Sequence, residues 1–191
     1  MTGIIDKEGE SMRILFYFLS IVTANVVTAA FVPIAFGIFI IPMGSLFIGA
    51  TFILRDLVQN KYGRKRTYVF ITSALLLSAL VSYLLGDTLI IVMASALSFA
   101  VAETTDTEIY SRLKLPMSWR VFYSGIVGGL LDSAIFVIIG LSPIGAGMLP
   151  WEAVPAAILG QVIVKTIIQG IGAMLINPIA AIVNRKTVVN G

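Results

Sequence analysis

The chain alternates between long apolar runs and short breaks, and six of these runs are long enough to predict helices. They fall at roughly 12–32, 38–60, 66–86, 88–113, 119–141 and 153–183. A helix of about 20 apolar residues spans the hydrocarbon of a bilayer, so each run has the length of a transmembrane helix. Pro33, Gly37, Pro42 and Gly44 interrupt the stretch between the first two runs. The second helix is therefore expected to begin irregularly, as broken helices around transport sites do. Gly86-Asp87 predicts a very tight third turn, Pro116 parts the fourth helix from the fifth, and SPIGAGMLP (142–150) parts the fifth from the sixth. The expected fold is all-α: a single domain, an integral membrane bundle of six transmembrane helices.

Composition supports this. Of 191 residues 58% are hydrophobic and 12% are charged, about half the charged fraction of a soluble domain. The opening MTGIIDKEGESMR is polar and acidic and leads straight into a full-length span, so no cleavable signal peptide is expected. Cysteine and histidine are both absent, which removes disulfides, thiolate nucleophiles, Cys/His metal sites and histidine proton relays. No serine stands in an evident nucleophile motif, so neither an enzyme nor any catalytic residue, cofactor or metal is expected. There is no GxxxxGK[ST] loop and no polar segment long enough to house an ATPase. Any work done must draw on an ion gradient, a separate subunit or trapping of the substrate.

The basic residues orient the chain. Eleven of 13 Lys and Arg lie before helix 1, after helices 2 and 6, or around the loop after helix 4, and the opposite loops carry none. By the positive-inside rule both termini are expected on the cytoplasmic side of the cytoplasmic (inner) membrane.

The remaining two cations, Arg55 and Lys165, lie inside helices, as do several carboxylates. A charge in a spanning helix costs roughly 2.5–3.5 kcal/mol on insertion scales, and such charges usually face a cavity or a protein interior where they bind or relay something. Glu103, Asp106 and Tyr110 share one face of helix 4 at i, i+3, i+7. Gly125, Gly128, Gly129 and Asp132 form a stripe on helix 5, where small residues let backbones approach closely. Gln161, Lys165 and Gln169 share a face of helix 6, and Asn25 with Thr28 a face of helix 1. Carboxylates at 56, 103, 106 and 132 have only Arg55 and Lys165 to balance them. One or two must be protonated, bind a cation or face water, with Glu103 and Asp106 the natural proton-holding pair. The alternative for Asp132 and Lys165 is a structural ion pair locking helices 5 and 6.

Four segments carry a family resemblance: ATFILRDLVQNKYGRKRTY (50–68), ASALSFAVAETTDTEIYSRLK (94–114), WRVFYSGIVGGLLDSAIF (119–136) and LGQVIVKTIIQGIGAMLINPI (159–179). Together, and most specifically in the block Asp56–Tyr62–Gly63–Arg64, they resemble the VUT family of queuosine precursor transporters. The resemblance implies uptake of 7-cyano-7-deazaguanine or a related 7-deazapurine for tRNA modification. The substrate-binding candidates are then Asn25, Asp56, Phe99, Glu103, Asp106, Tyr110, Asp132, Gln161, Lys165 and Gln169, with Arg55, Tyr62, Gly63 and Arg64 as gating or structural residues. The partners implied are the deazapurine and the lipid bilayer, with no nucleic acid; a homodimer is left open. Gln59-Asn60 stand where many relatives carry an acidic residue. A rival reading is a substrate-capture subunit that docks on a separate ATPase module through a small-residue surface such as Ala96 and Ala100.

Overall fold

The structure is a computed structural model that describes residues 2–37 and 39–189, with side chains over 12–37 and 39–176. Six long helices follow one another: α1 (Thr2–Ala30), α2 (Ser45–Tyr62), α3 (Arg64–Leu84), α4 (Leu89–Arg112), α5 (Met117–Ile135) and α6 (Val154–Val189). α5 continues as a π-helical turn over Phe136–Leu141, and a 3-10 turn at Trp151–Ala153 leads into α6. Among the described residues five segments are long and apolar enough to cross a bilayer: Met12–Ala30, Arg64–Leu84, Leu89–Arg112, Met117–Leu141 and Trp151–Ile176. The sixth helix, α2, is shorter and carries Arg55, Asp56 and Lys61. Large apolar side chains such as Leu76, Met93 and Met174 stay exposed on the outer faces, which suits a lipid rather than an aqueous surroundings. The chain is a multi-pass membrane protein.

The second helix begins irregularly, as its prolines and glycines predict, and later than the apolar run suggests: residues 39–44 are not helical, and α2 begins only at Ser45. In their place Ile34–Phe36 and Phe39–Ile41 pair as an antiparallel hairpin, with Phe36 opposite Phe39 and Gly37 at φ +60 in the turn. Ile38 lies outside the described residues. Pro42 pushes Ile41 before it to extended backbone, and the β-branched and aromatic run there favours a strand, so the helix starts after it. At the chain ends the helical backbone reaches further than the apolar runs predict, back to Thr2 and on to Val189.

Packing follows the chain order. α5 makes its most extensive contacts with α4 and α6, while α2 lies against α1 and α6. Tyr17, Ile21, Val58, Ile71, Ala74 and Phe99 form a core shared by α1 to α4, and Tyr110, Val121 and Ile176 join α4, α5 and α6. The α5 glycines are where polar side chains of neighbouring helices meet its backbone. A methyl on Gly125 would run into the Gln169 carboxamide, and one on Gly128 would lie 3.1 Å from Asp106 Cβ. α2 and α3 are joined by Gly63 alone, at φ 77 and ψ 165, a backbone region open essentially to glycine only.

Candidate functional site

A cavity of about 360 Å³ lies between helices α1 to α6. Its rim comes from the three connections without Lys or Arg: Pro33, Ile40 and Pro42 before α2, Asp87 between α3 and α4, and Met148 and Leu149 before α6. Deeper in, the wall presents Asn25, Ser78, Phe99, Phe136, Gln161 and the pair Asp132 and Lys165. Asn25 Nδ2 donates to Ser78 Oγ at 2.9 Å, tying α1 to α3. Lys165 Nζ donates to Asp132 Oδ2 at 2.7 Å, to Ser133 Oγ at 2.8 Å and to Gln161 Oε1 at 3.4 Å. An ammonium can only donate, so Gln161 must turn its oxygen to Lys165. Its Nε2 is then buried without a hydrogen-bond partner among the described residues.

A second charge cluster stands next to this one, centred on Arg55. Its guanidinium meets Asp56 at 3.1 Å through Nη1, Glu103 at 3.0 Å through Nε, and Asp106 through Nη2. Nη1 also donates to Gln59 Oε1 at 3.1 Å and Thr107 Oγ1 at 2.9 Å. All four charged side chains are sealed from solvent. Phe52, buried, lies between the clusters: a methyl on Gly128 would stand 3.4 Å from its ring, and one on Gly129 would stand 4.0 Å from it and 3.5 Å from Lys165 Cβ. The carboxylates converge on a guanidinium instead of an open centre, and among the described residues no group of acidic side chains is placed to hold a metal ion.

Below the Arg55 cluster, at the end bearing the basic loops, Glu108 collects Arg64, Tyr68 and Arg112 into one network joining α3 to α4. Tyr62 packs edge-on against Phe70 with ring centres 5.5 Å apart. Arg120 of α5 donates to the Tyr110 carbonyl at 3.0 Å and lies 3.9 Å above its ring.

The structure therefore divides the sequence candidates. Asn25, Phe99, Asp132, Gln161 and Lys165 line the cavity. Asp56, Glu103 and Asp106 surround Arg55 outside it, Tyr110 lies near Arg120, and Gln169 reaches from α6 to the Gly49 carbonyl at 3.4 Å. Helical spacing placed Glu103, Asp106 and Tyr110 on one face, but it carried no information on which partner that face would meet. Ser133, Thr107 and Phe52 escaped the sequence reading. The first two flank Asp132 and Asp106, and the signal available for them was a hydroxyl beside an intramembrane charge.

The profile of a family described as "Putative vitamin uptake transporter" (Vut_1) matches residues 81–179, just over half of the chain. The chain belongs to the Vut_1 family. No curated protein and no solved structure matches it. The segment that matches Vut_1 holds α4, α5 and most of α6. It therefore contributes Glu103 and Asp106 to one cluster and Asp132, Gln161 and Lys165 to the other. Arg55, Asp56 and Asn25 come from the part of the chain before the match. The charged residues of the cavity wall, Asp87, Asp132 and Lys165, all lie within the matched segment.

Proposed function

We propose that this transporter imports a queuosine precursor, 7-cyano-7-deazaguanine or a related 7-deazapurine, and that the solute occupies the cavity lined by Asp132, Lys165 and Gln161. The supporting observation is the polar set on that wall: a carboxylate, an ammonium and an unpartnered carboxamide N–H within one cavity. A guanine-like edge offers an N1–H and a 2-amino group that a carboxylate accepts together. Lys165 engages Asp132 Oδ2; Oδ1 can accept one of these N–H groups and the remaining lone pair of Oδ2 the other. The O6 acceptor suits the unpartnered Gln161 Nε2, and the planar ring suits Phe99 and Phe136. A volume of about 360 Å³ falls in the range of small-molecule sites.

The rim loops carry no Lys or Arg, so the positive-inside rule puts the cavity mouth outside and both termini in the cytoplasm. In that orientation the cavity faces outward and the Arg55 cluster, backed by the Glu108 network, closes the cytoplasmic end. The test is uptake of labelled 7-cyano-7-deazaguanine by cells that cannot make it and lack any docking ATPase module. Uptake is expected, and Asp132→Asn should reduce it to background while the protein still accumulates in the membrane. Dependence on an added module would favour a substrate-capture subunit, and uptake by Asp132→Asn at the wild-type rate would remove the proposed site.

A further inference from the structure

Around Arg55 the charges do not balance. Asp56, Glu103 and Asp106 face a single guanidinium in a region closed to solvent. With every carboxylate ionised this group would carry two uncompensated negative charges. The other titratable groups facing it are Tyr17 from α1, Tyr110 on α4, and Arg120 and Asp132 from α5. Asp132 is held by Lys165, and Arg120 is engaged with Tyr110. Among the described residues, counting Arg120 as a neighbour still leaves one carboxylate without a cation. An isolated charge in a dry interior neutralises itself by taking up a proton.

A second observation points the same way. The hydroxyls of Tyr17 and Tyr110 are buried and have no hydrogen-bond partner among the described residues. They come from two different helices, and they sit in the field of Glu103 and Asp56 respectively. A phenol hydroxyl accepts from a protonated carboxyl and donates to an ionised one, so these two can pass a proton to or from the cluster. The cluster is also flanked on two sides. Beyond Phe52 is the Asp132 cavity. Beyond Gln59, which donates to the Thr107 carbonyl and Ser111 Oγ, is a recess of about 270 Å³ formed with Asn60, Arg64 and Arg120.

We propose that the Arg55 cluster is a proton-binding site: one of Asp56, Glu103 and Asp106 holds a proton while α2 and α4 are closed together, and gives it up to the side of the basic loops when they part. The proton enters from the Asp132 cavity past Phe52 and leaves past Gln59, so each cycle carries one proton inward with no bond to the solute made or broken. The site itself stands on the cluster's geometry; its coupling to uptake rests on the transport reading above.

Infrared spectra of the wild-type chain in bilayers test the site without any solute. The carbonyl stretch of a protonated carboxyl is expected at neutral pH, and it should shift or disappear in one of Asp56→Asn, Glu103→Gln or Asp106→Asn. Absence of the band in the wild type, or a band untouched in all three variants, overturns the proposal. Vesicles holding a pH-sensitive dye test the coupling: 7-cyano-7-deazaguanine should enter with protons, and dissipating the pH gradient should bring accumulation down to the equilibrium level. Entry without proton movement overturns the coupled role. A cluster-assigned band in vesicles inert to the deazapurine upholds the proton site and overturns the substrate reading instead.

Discussion

Lys165 holds Asp132, Ser133 and Gln161 together with one ammonium, so its replacement separates a structural role from a binding one. Lys165→Ala leaves the Asp132 carboxylate unpaired at low exposure, and breaking a buried pair in this way costs about 3–5 kcal/mol. Thermal unfolding in detergent should show a large fall for this variant. Replacing both partners, as Asp132→Leu with Lys165→Met, should recover most of that stability, because apolar groups of similar volume often substitute for a buried ion pair without loss. The same double variant should take up no deazapurine; uptake near the wild-type rate would make the pair a purely structural lock. Arg55 is the harsher case. Arg55→Ala strands three carboxylates, and folded yield should drop more than for Lys165→Ala. Arg55→Lys should fall between, since an ammonium keeps the charge without the planar fork that reaches three partners.

At the scale of elements the connections are informative. Gly63 joins α2 to α3 with no other residue between them, and its φ of 77 with ψ 165 excludes side-chain-bearing residues. Nothing lies within 4 Å of the methyl that Gly63→Ala would add. The whole penalty is therefore backbone strain, about 1–3 kcal/mol. Gly63→Asn should cost as much as Gly63→Ala, because this region is not the left-handed helical one that asparagine tolerates. Parallel unfolding curves for the two variants check this. Gly172 is the contrasting site: a methyl there would run into Ile53. Gly172→Ala should destabilise by about 1–3 kcal/mol through overpacking, and Ile53→Ala in the same chain should relieve part of it. The π-helical turn at Phe136–Leu141 has no proline or charge to announce it in the sequence. It places Phe136 on the cavity wall, as π-turns often do at functional sites.

For the molecule as a whole, orientation decides which way the cavity faces. The chain contains no cysteine, so single cysteines can be introduced without a background. Met148→Cys, on the cavity rim, should react with an impermeant maleimide added to intact cells. Lys114→Cys, in the basic loop between α4 and α5, should react only after the membrane is opened. The reverse labelling would turn the cavity mouth to the cytoplasm and invert the import reading.

Apolar run length and the asymmetry of Lys and Arg are properties of the chain alone, because helix formation in lipid depends on local length and hydropathy. From these, from the Gly and Pro breaks and from the helical spacing of polar residues followed the helices as units, the tight turn at Gly86-Asp87 and the polar faces of α4 and α6. The residues at 39–41 were read as the start of a helix because apolar content alone does not distinguish a strand from a helix start. Which carboxylate meets which cation was decided only by tertiary packing. Helical spacing says that Glu103 and Asp106 share a face, and Lys165 with Gln161 another, and it allowed Asp132 and Lys165 as a pair, but it did not say which acids Arg55 would meet. The approach of α2 to α4 gave Arg55 three partners, the glycine-lined backbone of α5 brought Lys165 to Asp132, and Phe52 divided the two groups. Charge pairing in a low-dielectric interior falls off with distance and depends on burial, and both are fixed by how the helices lean on one another.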